Sequence, residues 1–206
     1  DGEVITAHCP NSGRMLGCSH PGSPVFVSRS STPGRRLPFT WEMIEMPASR
    51  VVINTMVTNR IVKQAVHTGM IPELRGYSEI ETEVRCSPSS RIDFLLNGGG
   101  KTPCFVEVKS CTLVEEGRAM FPDAVTTRGQ KHIRELETQL LRGMRCMMFF
   151  LVQRMDALYF SPADHIDLVY GRELRRVHEL GLEVLVYSTR ITEKGIMLGE
   201  KIPSEV

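Results

Sequence analysis

The chain has 206 residues and a formal net charge of +1, with 41% hydrophobic and 24% charged side chains. That balance is the balance of an ordinary soluble globular chain, long enough for one large domain or a small one followed by a medium one. No apolar run approaches the roughly 18 residues of a membrane span, no signal-peptide pattern opens the chain, and the near-neutral charge neither favours nor excludes a nucleic-acid partner.

The first 46 residues read as all-β. Residues 4–8 alternate, 24–28 form a β-branched and aromatic run, and 40–45 follow a turn-rich loop. Short strands joined by long polar loops suggest a small OB-like barrel. Asp1-Gly2 resembles a hairpin turn and no Met begins the chain, so a preceding native strand is expected to pair with residues 4–8. Arg29, Arg35 and Arg36 occupy a Ser/Pro/Gly-rich loop just ahead of Phe39 and Trp41. Arg35, Arg36 and Trp41 combine cations with an aromatic ring, as an OB surface that holds nucleic acid does; a Trp that fills the barrel core is the alternative. Pro47-Ala48-Ser49 marks the expected boundary, giving domains 1–46 and 47–206.

Beyond it the elements alternate. A helix is predicted over 54–67, with Ile61, Val62, Ala65 and Val66 on one face and Gly69 as its stop. A strand over 80–85 and a hairpin over 91–109 follow. Thr126 or Thr127 caps a helix over 128–142, whose apolar stripe is Ile133, Leu136 and Leu140. Residues 146–153 form a nearly continuous apolar strand, as in a sheet covered on both faces. A helix over 170–180, a strand over 182–187 and a hairpin-like pair over 191–198 complete a mixed α/β sheet with helices on both faces. The six cysteines contain no Cys-x-x-Cys pair, and reduced thiols in a cytoplasmic protein are expected. His8, Cys9, Cys18 and His20 match no usual zinc-finger spacing.

The hairpin carries the chemistry. With Gly98, Gly99 and Gly100 in its loop, Phe94 faces Val106, Leu95 faces Phe105 and Leu96 faces Cys104, which sets Asp93 opposite Glu107. Ile92, Phe94, Leu96, Val106 and Val108 then share one face, and Asp93, Glu107 and Lys109 share the other. Two neighbouring carboxylates repel unless a proton or a cation compensates. Lys109 can do so as a salt bridge. Mg²⁺ (or Mn²⁺) can do so with Asp93, Glu107 and the backbone carbonyl of Val108 as ligands, since Mg²⁺ takes one or two carboxylates and keeps several waters. Such an ion would act on a phosphodiester, with Lys109 orienting water or stabilising phosphate charge. Arg128, Lys131 and His132 sit near the start of the following helix, where free amides and basic groups favour phosphate.

An Asp, a short gap and Glu-x-Lys on the second and third strands of an α-β-β-β-α-β core resemble the PD-(D/E)XK nucleases. The likeness to the sugar fermentation stimulation protein (SfsA) family is closer. It is carried by His8-Cys9-Pro10-Asn11-Ser12-Gly13, Leu37-Pro38-Phe39-Thr40-Trp41-Glu42, Ser90-Arg91-Ile92-Asp93-Phe94 and Val106-Glu107-Val108-Lys109-Ser110. Phe121-Pro122-Asp123-Ala124-Val125-Thr126, Arg128-Gly129, Lys131-His132 and Phe160-Ser161-Pro162 extend it over nearly the whole chain. The resemblance implies an OB-like domain followed by a PD-(D/E)XK nuclease-like domain. It also implies DNA binding without sequence preference, and a regulatory link to sugar (maltose) metabolism in bacteria. An active Mg²⁺-dependent nuclease cleaving DNA or RNA at Asp93, Glu107 and Lys109 is the alternative function. Ile92 stands where many such nucleases have Pro. Glu81, Glu83 and Asp123 are candidates for supporting contacts to the metal site. Asn59 lies where related nucleases place an acid, with capping or exposure as its plainer role.

Overall fold

A computed structural model describes residues 2–88, 90–192 and 195–206. Asp1 of the expected first turn, and Glu193 and Lys194 within the expected hairpin-like pair over 191–198, lie outside the described residues. Strands β1 (Ala7–His8), β2 (Val25–Arg29), β3 (Phe39–Glu45) and β4 (Arg50–Val52) form the first sheet. Of the expected first strand only Ala7 and His8 pair, in parallel with β3, while Val4 and Ile5 are exposed. Pro47-Ala48-Ser49 proves to be the turn of a hairpin, because β4 returns antiparallel onto β3.

The second sheet is built from β5 (Glu79–Ser87), β6 (Ser90–Asn97), β7 (Cys104–Cys111), β10 (Arg145–Val152), β12 (Glu183–Thr192) and β13 (Gly195–Lys201), in the order β13-β12-β10-β7-β6-β5. Strands β7, β10 and β12 are mutually parallel, and the two edges are antiparallel. Helix α1 (Met56–His67) covers one face; α2 (Thr127–Leu141) and α3 (Leu168–Glu179) cover the other. The apolar run of β10 has this cause. Met147, Phe149 and Leu151 pack with Val62 and Ala65, whereas Met148, Phe150 and Val152 pack with Ile133, Leu136 and Leu174. Both alternating sets are buried, so neither can be polar. Thr126 caps α2 by accepting from Gly129 N, and Asp167 caps α3 by accepting from Tyr170 N, which starts that helix two residues ahead of the expected position.

A third, small sheet was not expected: β8 (Leu113–Glu115), β9 (Arg118–Phe121) and β11 (Tyr159–Pro162), in the order β11-β9-β8. Glu116-Gly117 turns β8 into β9 with positive φ at both residues, the mark of a tight two-residue hairpin. The first sheet docks where the parallel strands end. Val52 N donates to Gln153 O, Gln153 N to Cys111 O, and Met15 N to Asp123 Oδ2. Cys104, Cys111 and Cys146 are buried free thiols whose pKa values burial pushes up to about 12; Cys9 is exposed. Among the described residues no helix is long and apolar enough to cross a membrane.

Candidate metal centre and basic groove

The hairpin folds in the expected register. Phe94 pairs with Val106, Leu95 with Phe105 and Leu96 with Cys104, and the loop between β6 and β7 is 98–103. Gly99 has φ +65°, and a Cβ there would lie 1.7 Å from Gly76 O, so no other residue fits. Backbone pairing stops at Phe94, however. One step on, the Asp93 carboxylate replaces the ladder: its Oδ2 accepts from Val108 N at 2.8 Å, and its Oδ1 accepts from Asn59 Nδ2 of α1 at 2.7 Å. The strands part here. Opposite this point Glu83 has φ +54°, a strained conformation for a residue with a side chain. The even alternation across Asp93 is thereby broken. Ile92, expected beside Phe94, instead packs with Phe105, Ile133 and Leu136 under α2, while Phe94 packs under α1.

Glu107, expected on a sheet face with Lys109, lies under α2 and is only 3% exposed. Its Oε1 accepts from Lys109 Nζ at 2.6 Å and is engaged by His132 Nδ1; Lys109 Nζ and His132 Nδ1 are 3.1 Å apart. Its Oε2 is buried and has no hydrogen-bond partner among the described residues. Burial pushes the Glu107 carboxyl up, but Lys109 and His132 together outweigh it and hold its pKa below the usual range. Asp93 goes the other way. Burial first, and the Glu107 charge second, raise it from 3.8 to about 6 against the bonds from Val108 and Asn59. The pair is thus one firmly ionised carboxylate beside one that gives up its proton reluctantly.

The sequence-based site is therefore partly brought together and partly not. Asp93, Glu107, Val108 and Lys109 converge. Asn59, read as a capping or surface residue, holds Asp93, and His132, read as a phosphate contact, is buried at 5% exposure on Glu107. Glu81 accepts from Asn97 Nδ2, on the sheet's outer strand, and Asp123 accepts from Met15 N. Neither is bonded to Asp93 or Glu107. Trp41 is half-buried against the core of Ile44, Val51 and Ile53 and gives its indole N–H to Met43 O. Arg35 and Arg36 are exposed on the loop before β3.

Beside the carboxylates runs a groove of about 770 Å³ lined by Glu83, Arg85, Arg91, Arg128, Lys131 and Arg134, with Ser90 and His132 also on its wall. Arg85 lies directly opposite Arg91 in the β5–β6 ladder. Like charges so placed destabilise a sheet. Arg85 and Arg91 were missed by motif reading: a bulge between Arg85 and Ser87 sets them opposite each other although they stand at unequal distances from the turn.

Two family models account for almost all of the chain: the "SfsA N-terminal OB domain" over residues 1–53 and the "Sugar fermentation stimulation protein RE domain" over 56–195. The chain belongs to the SfsA family. Proteins named sugar fermentation stimulation protein homolog share 49% identity in Geotalea daltonii and 51% in Geobacter sulfurreducens, each over 98% of this chain and 87% of the relative. A solved structure described as Pyrococcus furiosus SfsA in complex with Ca²⁺ matches with a TM-score of 0.91 at 26% identity, covering 100% of this chain and 87% of that one. The fold is accordingly an OB domain followed by a mixed-sheet α/β domain of the PD-(D/E)XK kind.

The donor set in this SfsA chain fits a hard divalent cation. Glu107 Oε2 is the orphaned buried oxygen such an ion would satisfy, and Asp93 stands next to it. Among the described residues no three His, Cys, Asp or Glu side chains form a metal-holding group, so carbonyl and water ligands would complete the shell, as Mg²⁺ and Ca²⁺ allow.

Two outcomes are expected. In metal-free protein, the Asp93 contribution to stability falls as pH rises from about 4 to about 6, because the fold disfavours ionised Asp93. Asp93→Asn escapes this cost and gains up to about 3 kcal/mol at pH 8 but nothing near pH 3.5, measured by urea unfolding in chelator. Binding of a divalent cation at this centre should weaken about 10- to 100-fold by titration calorimetry in His132→Ala, which leaves Glu107 Oε1 to Lys109 alone; unchanged affinity would show that His132 does not orient Glu107.

Proposed function

We propose that this chain binds DNA through phosphate contacts along the basic groove, without reading sequence, and carries a divalent-metal site at Asp93 and Glu107. The observation that carries the reading is the Arg85–Arg91 pair, two like charges set opposite each other and facing Arg128, Lys131 and Arg134 across the groove. Such a wall of cations is costly by itself and favourable around a polyanion. Among the described residues that line the groove there is no Phe, Tyr, Trp, Asn or Gln, which suits backbone contact. The name borne by the relatives points to an effect on sugar fermentation, and DNA binding offers a route to it through regulation.

A second reading, hydrolysis of a phosphodiester in DNA or RNA with Mg²⁺ or Mn²⁺, is favoured by the orphaned Oε2 of Glu107. A cation held by Asp93, Glu107 and the Val108 carbonyl would supply a polarised phosphate and an acidified water. The protein's own part would be positional. Asn59 and the Val108 N–H fix Asp93, His132 fixes Glu107, and Lys109 presents an ammonium that can stabilise charge on the phosphate.

Mobility shifts on duplex DNA should show log affinity falling linearly with log salt, and Arg91→Ala should lower that slope by about 0.9 for the lost phosphate contact. No shift even at low salt would sink the DNA reading. For hydrolysis, Mn²⁺-dependent cleavage should disappear in Glu107→Gln and Lys109→Ala while duplex binding persists. Cleavage that survives both substitutions would belong to another protein.

A further inference from the structure

A smaller pocket adjoins the metal centre. Its volume is about 270 Å³, slightly below the roughly 300–1,000 Å³ of pockets for drug-sized ligands. Three elements carry both sites. Ser110 of the pocket follows Lys109 along β7, Thr55 stands one helical turn ahead of Asn59 on α1, and Thr126 of the pocket precedes Thr127 of the groove. The site lies at the carboxyl end of β7, where open α/β sheets place their ligands.

Its chemistry differs from that of the groove. Among the described residues no Lys, Arg or His lines it and Asp123 is its one ionisable wall residue, which disfavours a phosphate. One side is polar, with Asn11, Ser12, Thr55, Ser110 and Thr112; the other is apolar, with Met120, Phe121 and Pro122. Thr55 is committed to Pro10 O, and Asp123 Oδ2 to Met15 N. Among the described residues Ser12 Oγ, Asn11 Nδ2 and Asp123 Oδ1 have no hydrogen-bond partner, and the buried Ser110 Oγ has none either. A planar ring with an apolar face and a hydrogen-bonding edge matches this wall.

We propose that the pocket receives one unpaired nucleobase from a DNA strand whose phosphates run along the basic groove and past Lys109. This rests on the DNA reading above. The N-terminal loop of Asn11 and Ser12 then completes the strand's path, which gives the docking of the first sheet a role in recognition. The open acceptor at Asp123 favours a base with an exocyclic amino group over thymine.

The test compares three duplexes of equal length that carry 2-aminopurine: at an unpaired strand end, at a central mismatch, and in a fully paired position. Wild-type protein should bind one or both unpaired forms about tenfold more tightly than the paired one, a base contact being worth about 1–3 kcal/mol. The bound probe should be shielded from acrylamide. The end and the mismatch separate a frayed terminus from a flipped base, and a gain with either supports the pocket. Ser12→Phe, a change on an exposed loop that fills the opening, should bring the unpaired-to-paired ratio near one. Arg91→Ala should weaken all three duplexes alike. Equal binding of all three by wild type, or a ratio untouched by Ser12→Phe, overturns the pocket and leaves the groove standing. Absence of any binding at low salt overturns the DNA reading itself, and this proposal with it.

Discussion

A buried carboxylate that commits one oxygen and withholds the other governs this molecule. Glu107 is sealed beneath α2, where an unpaired charge would cost several kcal/mol, and Lys109 with His132 on Oε1 makes its ionisation tolerable. Because both partners converge on the same oxygen, Oε2 is held in place with nothing to bond. The rest of the second domain serves that arrangement. β10 brings the apolar floor, α2 brings His132, and the parting of β6 from β7 brings Asp93 alongside.

That parting links local backbone to chemistry. Had the ladder run on past Phe94, Asp93 would have been an ordinary strand residue, with its side chain on one face and the Val108 N–H spent on a carbonyl. Instead the carboxylate takes that N–H and reaches Asn59 as well, which fixes both its oxygens. The left-handed Glu83 across β5 absorbs the resulting irregularity. Strain of this kind persists where the surroundings over-determine it, and here it lies against the candidate centre.

Much of this was legible in the chain. The glycine loop and the apolar residues on either side fix the hairpin register, and Glu-x-Lys on its second strand placed Glu107 and Lys109 on one face. The seven-residue apolar run of β10 announced a central strand, and Thr126 announced the start of α2. What stayed hidden has physical reasons. Periodicity assumes an unbroken ladder, so it put Ile92 on the wrong face once a side chain replaced a backbone bond. The β8–β9–β11 sheet is made of strands of three or four residues, too short for alternation to register, although Glu116-Gly117 was a readable turn. Trp41 and His132 could each face water or core on composition alone; packing buries His132 and half-buries Trp41.

The distribution of thiols has a practical corollary. Burial leaves Cys104, Cys111 and Cys146 protonated far above neutral pH and sheltered from reagents, and it also raises Cys18 and Cys86. Cys9 is the exposed exception, and it sits two residues before Asn11 on the loop that closes against the second domain. The protein therefore carries its own attachment point for a thiol-reactive fluorophore, already placed on the segment whose movement would be worth watching, with no cysteine needing to be introduced and the half-buried Cys86 the competing thiol.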